Sequence, residues 1–213
     1  MLKVLNLYAG IGGNRKLWED VEVTAVENNE SIAKFYSDHF PGDTLIIGDA
    51  HQYLLEHYFE YDFIWSSIEC TSHSRARFWA SVSRKKYKPI YPDMKLYEEI
   101  LFLKHYFVGM WIVENVNPFY EPLINPSTKI GRHLFWSNFH INQINIKEAN
   151  INKGKRDDWQ KLHGFDISRY KFTTRTDKIL RNCVVPELGL HILNCALKKQ
   201  TEQLNRPKSF FNL

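Results

Sequence analysis

Cysteine is scarce in this sequence, which holds only Cys70, Cys183 and Cys195. An odd number at spacings that match no zinc pattern predicts neither a disulfide framework nor a metal site. Sparse, unpaired thiols fit a reducing compartment, so a cytoplasmic location is expected. No window approaches the roughly 18 apolar residues of a membrane span, and no membrane partner is expected. The first residues run into Val4-Leu5-Asn6-Leu7-Tyr8. That is a strand pattern, not the charged stretch and apolar core of a signal peptide, so none is expected. Internal repeats and low-complexity segments are also absent from the sequence.

What is present suits one larger domain, or one domain with a small appendage, in 213 residues. The formal net charge of +4 is only mildly basic. Its distribution says more, because Arg75, Arg77, Arg84, Lys85, Lys86 and Lys88 follow one another with no acid between them. Phe78, Trp79 and Tyr87 are interleaved with them. Such a stretch can track phosphates and stack on bases. The alternative reading is a solvated basic loop. Ser72, Arg75, Arg77, Arg84, Lys85 and Lys86 are the candidate DNA-binding residues.

Strand and helix signals alternate through the first half. Residues 3–7, 21–26, 44–47, 63–66 and 110–113 read as strands. Residues 30–40, 50–58 and 93–107 read as helices, the last capped by Asp93. The polar residues 67–92 read as one long loop. This β-α-β-α order predicts an α/β fold with a mostly parallel, doubly wound sheet and sites at the strand C-termini. Beyond Pro126 the pattern changes. Residues 134–139 and 141–146 read as an antiparallel pair, 147–160 as weakly patterned, and 186–197 as a helix with Pro186 in its first turn.

The chemistry-bearing residues sit at strand ends. Tyr8-Ala9-Gly10-Ile11-Gly12-Gly13 follows the first strand, and glycine there lets a nucleotide-type ligand approach the backbone. A dinucleotide fingerprint would need a third glycine where Arg15 stands. The second strand ends in Glu27-Asn28 and the third in Gly48-Asp49-Ala50. An acid at the first place can accept both ribose hydroxyls, and one at the second can meet an adenine amino group. Either acid alone could be a helix N-cap. Cys70 follows the fourth strand, where a thiol is well placed as a nucleophile or, alternatively, as a small buried hydrophobe. Glu114-Asn115-Val116 closes the fifth.

In this order the residues resemble the cytosine-C5 DNA methyltransferases. Leu5–Gly13 is similar to that family's first motif, and Glu27 and Asp49 to its second and third cofactor contacts. Cys70 stands where the family's Pro-Cys loop lies, and Glu114-Asn115-Val116 resembles its Glu-Asn-Val motif. Arg132, in Gly131-Arg132-His133, resembles the arginine-bearing eighth motif. Leu162-His163-Gly164-Phe165 resembles the ninth and Arg181–Pro186 the tenth. The resemblance implies a Rossmann-like fold with a reduced antiparallel appendage. It also implies S-adenosyl-L-methionine as cofactor, held by Tyr8, Ala9, Gly10, Gly12, Gly13, Glu27, Asn28, Asp49, Ala50, Asn182 and Val184. Catalysis would rest on Cys70, Glu114 and Arg132, with duplex DNA and a flipped cytosine as substrate. Residues 1–140 and 175–200 are expected to form the catalytic domain, 141–174 a reduced recognition and connecting segment, and 201–213 a tail.

Two departures stand out. The family usually carries prolines before the cysteine, where this chain has Ile68-Glu69. An acid beside a thiol disfavours the thiolate unless it points away or is protonated, or unless Arg75 and Arg77 offset it. The region between the eighth and ninth motifs, which reads sequence in the family, is left only residues 141–160. Relaxed specificity, readout by the 74–92 loop, a homodimer or a specificity partner would each answer that. A non-catalytic DNA-binding partner, or C5 methylation of RNA or a nucleotide, stands as the alternative. A restriction-modification role is one biological setting. His73 and His133 are read as satisfied surface or core histidines, Cys183 and Cys195 as core, and no metal site is expected.

Overall fold

The computed structural model describes residues 1–83, 86–146 and 155–204. Arg84, Lys85 and residues 205–213 of the expected tail lie outside them. The strands are β1 (Leu2–Leu7), β2 (Val21–Glu27), β3 (Thr44–Ile47), β4 (Phe63–Ser66), β5 (Met110–Val116), β6 (Thr128–Ile130) and β7 (His133–Ser137). The helices are α1 (Glu30–His39), α2 (Ala50–His57), α3 (Arg75–Val82), α4 (Lys95–Tyr106), α5 (Arg156–His163), α6 (Thr176–Asn182) and α7 (Pro186–Leu204). All seven strands form one sheet in the order β3-β2-β1-β4-β5-β7-β6. β1 to β5 pair in parallel, and β7 runs antiparallel to both β5 and β6. The fold is thus the expected α/β one with a mostly parallel sheet.

Alternation along each strand splits the core into two layers. Val4, Val23, Phe63, Trp65, Ile112 and Phe135 face one side and meet Leu188, Ile192, Leu193 and Ala196 of α7. Leu5, Leu7, Val26, Ile64, Trp111 and Val113 face the other and meet Leu54 of α2 and Leu96, Ile100 and Leu103 of α4. The spacing of the α4 and α7 residues is that of one helical face. A third cluster joins Phe35 of α1 and Ile11 to Trp159 of α5 and Ile179 and Leu180 of α6.

Strand order reverses between β2-β1 and β4-β5, so the crossover helices leave a crevice at the C-terminal ends of β1 and β4. Local chemistry sets the adjoining helix starts. Asn29 caps α1 by accepting from the backbone N–H of Ser31 and Ile32, and Asp49 caps α2 by accepting from His51 and Gln52. In α4 the N-cap is Met94 and not the expected Asp93, which lies one residue earlier and accepts from Lys95 N–H at 3.1 Å through its side chain.

Two expectations are corrected. Residues 141–146 form no strand, and β7 pairs antiparallel with β5 and β6 instead. Ile141 is buried in the α7 layer, with Ile144 and Ile146 packed against it. Gln143 donates its side-chain amide to the Thr128 hydroxyl and the Lys129 carbonyl, so side chains tie this segment to β6. Residues 67–92 are not all loop either, because they contain α3, capped by Ser74 accepting from Arg77 N–H. No helix among the described residues is long and apolar enough to cross a membrane.

α7 crosses the turn after β1 at Gly189, where an added Cβ would land on the backbone of Asn14. Alanine is the better helix former by up to about 1 kcal/mol, but overpacking against immovable backbone costs about 1–3 kcal/mol or more. Gly189→Ala is therefore expected to lower stability by roughly 1–2 kcal/mol, read as a lower urea midpoint at unchanged slope. A midpoint at or above that of the native chain would refute this close crossing.

Candidate active site

One cavity of about 380 Å³ opens at the crevice, within the range common for small-molecule sites. Tyr8, Ala9, Gly10 and Gly13 line it from the end of β1, Glu27 and Asn28 from β2, and Asp49 and Ala50 from β3. Cys70 enters from the loop after β4, Glu114 from β5, Arg132 from the turn before β7, and Asn182 and Val184 from the end of α6. The two halves of the expected site, cofactor and catalytic, therefore share one space.

Glu27 is buried, and its two oxygens accept from Gly10 N–H at 3.0 Å and Asn29 N–H at 2.9 Å. Burial pushes its carboxyl above the usual range, against the pull of these backbone bonds. Asp49 is both N-cap and cavity wall. The backbone N–H groups of Gln52 and His51, with Lys95 beyond them, hold it below the usual carboxylate range. Gly13 has a packing role, because a Cβ there would strike Val184 and Cys183. Its absence lets the segment after α6 return against the first turn.

Gly12 does not line the cavity. Its φ of +78° and the rings of Tyr36 and Phe40 beside it make it the packing point of the turn on α1. Ser72, Arg75, Arg77 and Lys86 also lie outside the cavity. Ser72 Oγ accepts from Asp93 N–H at 2.9 Å and so anchors the start of α4. Arg77 donates to the Lys88 carbonyl at 3.2 Å and lies over the Tyr87 ring at 4.3 Å, which straps α3 to the next segment. Arg75 is exposed, as is Trp79 on the same helix.

Around the thiol, Asn115 Nδ2 donates to the Ile68 carbonyl at 3.0 Å and ties the loop to β5. Cys70 Sγ lies 3.9 Å from Asn182 Oδ1. Burial and the Glu114 carboxylate push the Cys70 thiol up to about 11, while Arg132 works the other way. Glu69, the residue that replaces a proline, turns to Lys178 of α6 and accepts from its ammonium. Thr71 Oγ1 donates to the same oxygen at 2.6 Å. Burial would raise Glu69, but these two partners outweigh it and hold the carboxyl below its usual range. Neither Arg75 nor Arg77 supplies that offset. Arg132 donates to the Arg181 carbonyl, joining the turn before β7 to α6.

Lys178 and Glu99 were not anticipated. Lys178 is one turn before Asn182 on α6, so helical spacing from Asn182 was its signal. Glu99 lies on the buried face of α4 between Leu96 and Leu103. His133, expected to be a satisfied histidine, is buried with Nε2 3.7 Å from Glu114 Oε1, and burial pulls it down to about 3, so it is neutral. His73 is a core histidine with Nδ1 bonded to Tyr120, but its Nε2 and the Nδ1 of His133 are buried with no hydrogen-bond partner among the described residues, so neither ring is fully satisfied as expected. Cys183 and Cys195 are buried, as expected.

A family model for C-5 cytosine-specific DNA methylases matches residues 2–122, more than half of the chain, including the Cys70 loop and Glu114. The chain belongs to the C-5 cytosine-specific DNA methylase family. Among solved structures, this methylase-family chain is similar to the Entamoeba histolytica methyltransferase EhMeth. The identity is 10%, the TM-score 0.55, and the likeness covers 94% of this chain and 99% of that one. It is similar to a mutant of Spodoptera frugiperda DNMT2 at 24% identity and a TM-score of 0.39, covering 55% of this chain and 36% of that one. A putative DNA modification methyltransferase from an Escherichia coli prophage gives 18% identity and a TM-score of 0.37, over 57% and 34% of the two chains. The chain thus spans about a third of each of the last two. No curated protein sequence matches it. Family and fold together are those of S-adenosylmethionine-dependent methyltransferases.

Glu114 gives this site a pH signature. Burial raises its carboxyl to about 7, against Ser67 and Arg132. In an unfolded chain it titrates near 4.3. Between those values the folded state keeps a proton that the unfolded state releases, so this group's contribution to stability falls as pH rises. Relative to Glu114→Gln, the native chain is expected to lose about 2–4 kcal/mol between pH 4.5 and pH 7.5. Urea titrations across that range measure it, and parallel stability curves would mean Glu114 is ionised throughout.

Proposed function

We propose that this chain methylates C5 of cytosine in DNA, with Cys70 as nucleophile. The observation that carries the reading is the convergence of Glu27 and Asp49 with Cys70 and Glu114 on one cavity at successive strand ends. The cavity's polar groups suit S-adenosylmethionine. Glu27 keeps acceptor capacity for ribose hydroxyls beside its backbone bonds, and Asp49 stands where an adenine amino group would need an acceptor. Tyr8, Ala9, Gly10, Gly13, Asn28, Ala50, Asn182 and Val184 would form the rest of the cradle, with Gly12 supporting it from behind. The bound cofactor supplies an electrophilic methyl group on a sulfonium.

C5 of cytosine is not nucleophilic by itself. Addition of the Cys70 thiolate forms a bond to C6 and leaves C5 enamine-like, able to attack a methyl group. Glu114, poised near neutrality, can share a proton with N3 and accept from the exocyclic amine, which stabilises the adduct. Arg132 would support the pyrimidine, and its charge opposes the acids around the thiol. A base then removes the C5 proton and the Cys70 sulfur leaves. A thiol inside the cavity cannot reach C6 of a cytosine stacked in a duplex, so the target would be flipped out. The exposed Arg75, Trp79 and Lys86 would meet the strand outside it, and a homodimer or a specificity partner would extend that footprint.

One observation favours a second reading, in which the chain binds cofactor and DNA without turnover: at rest the Cys70 thiol is held protonated. Transfer of labelled methyl from S-adenosylmethionine to mixed-sequence DNA separates the two. The native chain is expected to label DNA, and Cys70→Ala to lose at least about a thousandfold in rate. DNA carrying 5-fluorocytosine is expected to trap a covalent complex through Cys70. Labelling that survives Cys70→Ala, or binding with neither labelling nor trapping, overturns the catalytic reading. Preferential labelling of RNA in competition would move the substrate instead.

A further inference from the structure

α6 presents two polar side chains to the loop after β4. Asn182, its last residue, lies 3.9 Å from the Cys70 sulfur. Lys178, one turn earlier, pairs with the carboxylate of Glu69, the residue bonded to Cys70 along the chain. Both line the cavity. The helix is held in place from behind, with Ile179 and Leu180 in the α1 cluster and the Arg181 carbonyl bonded by Arg132. The loop is therefore gripped at Ile68 by Asn115 and at Glu69 by Lys178.

We propose that Lys178 is a positioning residue for Cys70: it draws the Glu69 carboxylate onto α6 and neutralises it, so that a loop carrying an acid in place of proline still offers its thiol beside Asn182. The inference rests on the reading of Cys70 as the nucleophile. The charged and titratable groups facing the thiol are Glu69 on its own loop, Glu114 from β5, Arg132 from the turn before β7 and Lys178 from α6, with neutral His133 behind Glu114. Glu114 and Glu69 disfavour the thiolate, and Arg132 and Lys178 favour it. Removing Lys178 thus leaves an uncompensated acid beside Cys70. Removing Glu69 as well restores the balance.

The rate of Cys70 alkylation by iodoacetamide across pH 6–10, followed by mass spectrometry of the Cys70 peptide, reads the thiolate directly and needs no methyl transfer. Lys178→Met is expected to slow alkylation about three- to tenfold at pH 8 and move the profile to higher pH. Lys178→Arg is expected to keep the native profile. The double variant Glu69→Gln, Lys178→Met is expected to return at least to the native rate. Glu69→Gln alone, with the cation retained, is expected to alkylate faster than the native chain. A Lys178→Met profile that superposes on the native one, a double variant no faster than Lys178→Met, or an unchanged or slower Glu69→Gln overturns the proposal. Should Lys178→Met fail to fold, judged by its thermal melt, the Glu69→Gln comparison decides. A native chain that labels no nucleic acid, yet gives this alkylation pattern, overturns the enzymatic reading and leaves the Lys178 role standing.

Discussion

The carboxylate of Glu99 fixes where the central strands stop. It is buried on α4, with Oε1 accepting from Tyr8 Oη at 2.6 Å and Oε2 accepting from Ser66 Oγ at 2.6 Å. His51 Nδ1 of α2 lies 3.0 Å from Oε1. A buried carboxylate is tolerated only when hydrogen-bonded or paired, so three chain segments must converge on it. Tyr8 adopts a φ of +55°, a left-handed conformation that costs a non-glycine residue about 1–2 kcal/mol. A hydrogen bond to a charged group is worth about 1.5–3 kcal/mol, enough to hold that turn. The turn begins the cofactor wall, and Ser66 begins the loop that carries Cys70. One side chain outside the cavity thereby sets the distance between its two halves.

The sequence made the strand-end residues legible because a parallel sheet delivers every strand's C-terminus to the same edge. Glu27, Asp49, Cys70 and Glu114 needed only that rule. Glu99 was harder to read because an acid in a helix usually marks a solvated face, although its place between Leu96 and Leu103 put it on the apolar one. Residues 141–146 misled because Ile144 and Ile146 alternate with polar residues and isoleucine favours strands, while Ile141 is buried in the α7 layer, and Ile144 and Ile146 partly so, with no ladder. The basic and aromatic run from Arg75 gave composition without periodicity, so α3 went unseen. α6 is under two turns long and polar at Thr176, Asp177 and Lys178. Its helix is fixed by Ile179 and Leu180 docking on α1, a long-range contact that local pattern does not encode.

Around Cys70 the fold balances burial against charge. Burial alone keeps the thiol protonated at rest, and Glu114 adds to that. Glu114 is itself raised to about 7, so near neutrality it spends part of its time uncharged and presses less on the thiol. The two groups are coupled in the direction a cysteine addition needs, since a protonated Glu114 favours a thiolate and offers N3 a proton at the same moment. His133, neutral beside Glu114, adds no competing charge. Arg132 supplies the fixed cation, and its bond to the Arg181 carbonyl keeps α6 and its Asn182 at the same place.

Prolines before the cysteine would stiffen the loop by fixing φ, a restriction within the chain that salt and pH do not touch. The present loop reaches order through contacts instead. Asn115 holds the Ile68 carbonyl, and the Cys70 carbonyl accepts from His73 N–H at 3.1 Å and Ser74 N–H at 2.9 Å. These are short-range bonds of neutral groups and change little with ionic strength. The Glu69–Lys178 pair is different, because both side chains are about half exposed and such pairs are screened by salt. The loop is therefore anchored on either side of Glu69 by bonds that persist, and joined to α6 through one that solution conditions can loosen. A proline could not make that connection, because it fixes a torsion and has no reach. In this chain the tie of the loop to α6 and the neutralisation of its acid are the same contact.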